Sequence, residues 1–502
     1  MLNRLLISLM LALAVTTASA QRMSCIRPIE KAGTRAFALP DPPRFDPQKT
    51  YRQPVILVTF SDADFMAEDP AKYYDRLFNE KGFNEGSGPG CVADYFRDQS
   101  AGRLNLQFDI YGPFKLDLKA GGRPKSDYEK HYGEDVVKSA IKQLSETEKT
   151  DFSVYDWDGN GNVDQVLFIV AGYTGNQKRG YIWPNTSWFL GPELPGGVTA
   201  DIASVTCELW KYDNSCGIGT ILHEFLHCLG LPDLYPLGNA EAFSAVDEWD
   251  LMDGGNYTNY GWCPPNLSTM EKMMLGWGQP VELTTATSVT AMKSVSDGGD
   301  TYIIRNPANR DEYYLLENRQ QKDWDFGCPG NGLLIYHVDF DYLAWMGNEI
   351  NIDDNHYRYS LFHADGKDYM AWDKKNDGED DSKWVDEGHL HNQYLSTSVY
   401  PYTDPETLVI NASLTNDSNP AATLYNANTD GQNLMSKPIT NIQIAVDGTI
   451  SFDFMKAATA IWRVQEAEAD HAPWYDLQGR RLQERPVRKG LYIHNGQKES
   501  IR

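Results

Sequence analysis

His223 and His227 stand four residues apart in the run His223-Glu224-Phe225-Leu226-His227, with Glu224 between them. On a helix that spacing puts both imidazoles on one face, about 5–6 Å apart at Cβ. Two rings so placed can bind one zinc ion at roughly 2.0–2.1 Å. A carboxylate beside them can take a proton from a water that the ion activates. The chemistry implied is hydrolysis, with Glu224 as general base. Gly230 suits the left-handed residue that ends a helix, and Pro232 discourages resumption. The chain that turns back there offers Asp233 as a third ligand. Glu248 and Glu271, on following segments, are the alternatives for that position.

The elements that must carry these residues are legible around them. Ile218, Ile221, Leu222, Phe225 and Leu229 recur at helical spacing, so a helix is expected to present the pair. Pro54 to Phe60 and Val166 to Val170 are continuous apolar runs, consistent with buried strands. Val92 to Ser100 and Val136 to Leu144 read as helices, and Leu104 to Ile110 as an alternating strand. Asn266 to Trp277 reads as a closing helix. From about residue 281 short strands take over at Tyr302–Ile304, Tyr313–Leu316, Leu333–Tyr336 and Ile450–Phe454, which predicts an antiparallel β-rich region.

The extended pattern His-Glu-x-x-His-x-x-Gly-x-x-Asp, residues 223–233, resembles the signature of the immune inhibitor A-like secreted zinc metallopeptidases, relatives of the metzincins. Glu248 to Gly255 is similar to the metzincin methionine turn, where Met252 would form an apolar floor beneath zinc. Val55 to Asp62, Val92 to Leu106, Gly276-Trp277, Leu316 to Arg319 and Gly332 to Asp339 are also family-like, so the resemblance spans roughly residues 51–455. It implies an α+β fold: a zincin-like catalytic domain (mixed sheet, backing helix, active-site helix) followed by the β-rich region. The activity implied is zinc endopeptidase, acting on extracellular proteins or peptides. Tyr257 and Tyr260 follow the turn, and either is placed to donate a hydrogen bond to the oxyanion. The alternative function is a non-catalytic exported adhesin, or glycan- or matrix-binding protein, on a peptidase scaffold.

A second candidate site precedes the helix. Asp156, Asp158 and Asn160 hold the first, third and fifth places of a calcium loop, Asn162 offers its carbonyl and Asp164 is ninth. The twelfth place is Leu167 rather than a bidentate Glu, so any calcium there would draw further ligands from elsewhere. Two other groupings, the acidic stretch 373–381 and the pair His389 and His391, read as solvated loops.

The totals narrow the class. In 502 residues, 45 basic side chains face 70 acidic ones, a net charge of −25. That argues against nucleic acid and anionic membrane surfaces as partners. Residues 1–20 read as a secretory signal, with Arg4, an apolar run from Leu5 to Val15, and Ala18-Ser19-Ala20 at the cut. No later run is long enough to span a membrane. Residues 21–50 read as an extended, Pro-rich arm or pro-segment, where Cys25 has the option of capping the zinc. Domains are expected at 51–280 and 281–456, with a linker and tail at 457–502. The tail is similar to C-terminal sorting signals of type IX secretion, which implies contact with secretion machinery. Of seven cysteines, Cys207 and Cys216 are the expected disulfide pair. Cys228 is expected to stay unpaired as a small buried hydrophobe.

Overall fold

Successive residues of strand β1 (Thr50–Thr59) enter two different apolar cores, and that alternation builds the first half of the chain. Val55 and Leu57 face one core, Ile56 and Val58 the other. The computed structural model describes residues 45–122, 133–175, 181–188, 191, 193–200, 202–210, 213–237, 244–367, 395–456, 474–475, 481–482, 486–487, 489–494 and 497–501. The signal segment, most of the arm with Cys25, the 373–381 stretch, His389, His391 and the linker through residue 473 lie outside the described residues.

The first sheet has the order β2-β1-β3-β5-β4, where β2 is Asn105–Lys115, β3 Val166–Tyr173, β4 Asn185–Trp188 and β5 Ile202–Leu209. Its first four strands are parallel, and β4 runs antiparallel along the edge of β5. The helices that supply residues to the core on one face include α1 (Pro70–Asn79), α2 (Val92–Gln99) and α4 (Gly219–Cys228). The other face is covered by α3 (Glu134–Thr147), through Val136, Val137, Ala140, Ile141 and Leu144. The mixed sheet backed by helices is as the sequence predicts. Strand β5 and helix α1 are additions to that reading. All of β5 is buried, although Ser204, Thr206 and Glu208 alternate with Ala203, Val205, Cys207 and Leu209, the pattern of a strand with one solvated face. Two of those side chains find partners inside: Glu208 accepts from the amides of Met66 and Gly172, and Ser204 reaches the Glu224 carbonyl at 3.1 Å.

Helix α5 (Thr269–Met274) is shorter than the stretch Asn266–Trp277 suggests. Ser268 and Glu271 cap it reciprocally, which fixes the start, and Gly276 with φ of 69° ends it. Beyond it, a five-stranded sheet has the order β11-β10-β9-β8-β6, from β6 (Val281–Glu282), β8 (Tyr302–Arg305), β9 (Glu312–Arg319), β10 (Gly332–Asp339) and β11 (Tyr359–Leu361). Its pairings are antiparallel except β6 with β8. A three-stranded antiparallel sheet joins β7 (Thr287–Met292), β12 (Ile439–Ile444) and β13 (Ile450–Phe454). One core crosses residue 280, since Leu315, Tyr336 and Tyr359 share it with Phe225, Trp249 and Met252. The tail forms a separate unit, 457–502, whose described strands make a small antiparallel sheet.

Buried charge ties α5 to the β-rich sheets. Arg319 donates to Glu317 at 2.9 Å, to Asp325 at 2.7 Å and to the Asn266 carbonyl at 3.0 Å. Glu317 also accepts from the Thr269 amide at the start of α5. Nearby, the buried carboxyls of Asp250 and Glu271 face one another. Burial pushes both pKa values up, and Asp250's charge raises Glu271 further. Because the folded-state values lie above the unfolded ones, the pair's contribution is complete below about pH 4 and is lost as pH rises through the folded values. The melting temperature should therefore fall as pH rises above about 4, and Glu271→Gln should flatten that fall. Parallel curves for the two proteins would rule the pair out as its source.

Candidate metal centre

Helix α4 is buried from Gly219 to His227, and its start is set by close backbone contact. Gly219 lies so near the Asn256 carbonyl that a Cβ there would sit 2.0 Å from the oxygen. The other end is a Schellman turn. Gly230 has φ of 98°, its amide bonds to His227 O at 3.0 Å, and the Leu231 amide bonds to Leu226 O at 3.1 Å. This reversal brings the Leu231 carbonyl to 2.8 Å from His227 Nδ1. The Leu251 carbonyl stands 2.9 Å from His223 Nδ1. A carbonyl can only accept, so in the neutral form of each ring Nδ1 carries the proton and Nε2 presents a lone pair.

Both Nε2 atoms face Oδ1 of Asp233, each at 3.3 Å. Two donors at roughly 2.0–2.1 Å from a tetrahedral ion are about 3.3–3.4 Å apart. The spacing thus fits zinc. All three side chains are buried, and among the described residues they form one of two groups spaced to hold a metal. The electrostatics agree. Burial alone would lower the His223 pKa, but Asp233 and Glu224 outweigh it and push it up to about 9. Burial alone would raise Asp233, yet the two imidazoles hold its carboxyl far below the usual range. Such a pocket draws positive charge, whether proton or cation.

Glu224 is also buried, and burial raises its pKa. Thr186, on edge strand β4, stands 2.9 Å from Glu224 Oε2 and 2.8 Å from the Glu224 carbonyl. Sequence reasoning missed Thr186, because a lone Thr on a short edge strand carries no pattern. Met252 is fully buried; its carbonyl accepts from Leu234 at 2.9 Å and its amide donates to Asp250 Oδ1 at 3.0 Å. With Leu251 holding His223, this turn fixes both the helix and the returning loop. Tyr257 packs its ring on Trp210 at 4.8 Å, and Tyr257 and Tyr260 are 41% and 61% exposed. The tyrosine found next to the histidines is Tyr235, its ring parallel to His223 at 6.5 Å between centroids.

The Glu alternatives for the third ligand lie elsewhere: Glu271 caps α5 and faces Asp250, while Glu248 is absent from the metal-spaced group. Cys228 points to Ser204 at 3.4 Å, and burial pushes its thiol up to about 12, so it stays protonated. No bridge joins Cys207 to Cys216 among the described residues. The Cys216 amide bonds to Glu208 O, so Cys216 lies opposite Glu208, and Cys207, one residue away, points to the other face.

At the second candidate site, Asp156, Asp158 and Asp164 come within 4.8 Å of one another. Asp156 accepts from the amides of Gly159, Asn160 and Gly161, so the turn is held by its own backbone. The Asn160 side chain bonds to Asp158 and to the Asn162 amide, and the Asn162 side chain turns to Thr199. Those two amide side chains are thus engaged within and beside the loop.

Among the described residues no helix is long and apolar enough to cross a membrane. Residues 55–276 match the immune inhibitor A peptidase M6 catalytic domain family. The chain is similar to the pre-pro-metalloprotease PrtV of Vibrio cholerae serotype O1, 22% identical over 240 residues, covering 41% of this chain and 26% of that protein. It is also similar to immune inhibitor A of Bacillus thuringiensis subsp. alesti, 24% identical over 281 residues, covering 46% of this chain and 41% of the relative. The chain therefore spans between a quarter and two fifths of the length of these relatives. Residues 55–276, which contain the His-His-Asp cluster, are thus similar to the catalytic domain of the immune inhibitor A metallopeptidases.

Proposed function

We propose that the protein is a secreted zinc endopeptidase in which His223, His227 and Asp233 hold the ion and Glu224 is the general base. The observation that carries this reading is the meeting of three buried donor atoms at 3.3 Å beside a buried carboxylate. When bound there, zinc would supply a Lewis acid that brings a water's pKa toward about 7 and polarises a carbonyl.

The chain's own groups do the rest. Glu224 takes a proton from the attacking water as its oxygen bonds to the scissile carbonyl carbon. It then delivers that proton to the amine nitrogen as the C–N bond breaks. A raised pKa suits a group that must accept and release one proton near neutrality. Thr186 steadies the Glu224 carboxylate from the edge strand. Tyr257 and Tyr260 are the proposed oxyanion donors, and we read the edge strand beside α4 as part of a zincin-like arrangement. Export follows from the N-terminal signal, with the tail engaging secretion machinery, and the substrates are extracellular proteins or peptides. The alternative of a non-catalytic adhesin draws no support from an intact cluster with its base in place. We extend the proposal to calcium as a structural ion at Asp156, Asp158 and Asp164.

Purified protein should cleave casein, lose activity to a zinc-selective chelator and recover it on adding zinc. Glu224→Gln should retain zinc but lose roughly 10²–10⁴-fold in kcat; an active variant, or activity that survives zinc removal, overturns the reading. Thr186→Val removes a hydrogen bond to a charged group, so kcat should drop about tenfold and the acid limb of the kcat/KM profile should move to higher pH. An unmoved limb would mean that Thr186 does not act on Glu224. Millimolar calcium should raise the melting temperature of the parent chain and leave that of Asp158→Asn unchanged; equal responses would remove calcium from the loop.

A further inference from the structure

Asn348 follows helix α6 (Tyr342–Met346) and lies outside the family-matched stretch 55–276. Both ends of its amide engage Asp233. Nδ2 donates to Asp233 Oδ2 at 2.7 Å, and Oδ1 accepts the Asp233 backbone N–H, also at 2.7 Å. The side chain is buried, and its backbone φ of 56° lies in the left-handed region that Asn tolerates better than most residues. An amide is suited to this double task, because it combines a donor for the carboxylate with an acceptor for the backbone. With Oδ2 held by Asn348, the carboxylate is set so that Oδ1 meets both Nε2 atoms.

We infer that Asn348 is a positioning residue of the metal centre: it fixes the rotation of the Asp233 carboxylate and so completes, from the β-rich region, a site whose other known parts lie in the first half of the chain. The inference rests on the reading of Asp233 as third ligand. A second contact makes a control available. Asn351 donates to the Leu234 carbonyl at 2.7 Å and to the Tyr359 carbonyl at 2.9 Å, so it docks the same loop through backbone atoms. Loosening the loop and releasing the carboxylate can therefore be told apart.

The test uses the full chain and four variants: Asn348→Gly, which keeps the left-handed backbone unstrained, Asn348→Asp, which keeps the shape but loses the donor, Asn351→Ala, and Asp233→Ala. Zinc dissociation constants are measured by competition with a chromophoric chelator, and cobalt(II) absorption spectra report the ligand geometry. Melting temperatures of the metal-free proteins report folding. Both Asn348 variants should bind zinc roughly 10–100-fold more weakly and give altered cobalt spectra. Asn351→Ala should lower the melting temperature while keeping zinc affinity within about threefold and the parent cobalt spectrum. If Asp233→Ala loses zinc while the Asn348 variants bind it like the parent, the positioning role is overturned and the ligand reading stands. If Asp233→Ala binds zinc normally, the ligand reading fails and takes this inference with it. Equal losses in Asn351→Ala and the Asn348 variants would reduce the effect to loop docking, which also overturns it.

Discussion

Two imidazole nitrogens and one carboxylate oxygen meet in a buried space, and lone pairs turned on one another at 3.3 Å repel unless positive charge lies among them. Much of the surrounding fold answers that constraint. The Leu231 and Leu251 carbonyls take the Nδ1 protons, which commits the Nε2 lone pairs to the cluster. The turn at Asp250 to Met252 braces the loop that returns Asp233. The same negative field that pushes His223 up to about 9 is the field a divalent cation would satisfy.

The site is held from several directions rather than by the helix alone. Strand β4, added antiparallel to an otherwise parallel sheet, brings Thr186 to the Glu224 carboxylate. The β-rich region brings Asn348 and Asn351 to the returning loop. The core shared across residue 280 and the Arg319 network give that region a fixed seat against the first sheet. Precision at the cluster thus depends on packing far from it, since a carboxylate free to rotate would lose the geometry that three ligands need.

Signals that depend on local spacing were legible in the chain. The histidine pair, the glycine stop after it and the Asp that follows all act within one helix and one turn, so residue type and spacing suffice to read them. Strands β1 and β3 were legible for a similar reason, as buried runs with few polar members. Strand β5 alternates, but that pattern implies one solvated face, whereas Ser204 and Glu208 are buried against partners distant in sequence, which spacing does not show. The expected Cys207–Cys216 bridge failed on strand alternation, which the count of intervening residues does not disclose.

The sequence by itself determined the candidate set: two imidazoles with a carboxylate between them, on a helix whose terminating glycine turns the chain back toward them. Those relations are covalent and helical, spanning a few residues, and short-range sterics fix them. Only the tertiary structure decided which acid joins the histidines, which nitrogen of each ring is presented, and what steadies the acids. Asp233 over Glu248 or Glu271, Thr186 beside Glu224 and Asn348 across Asp233 are contacts made when two sheets and their loops pack together. Such contacts join residues up to 115 positions apart, and no periodicity links them before the core forms.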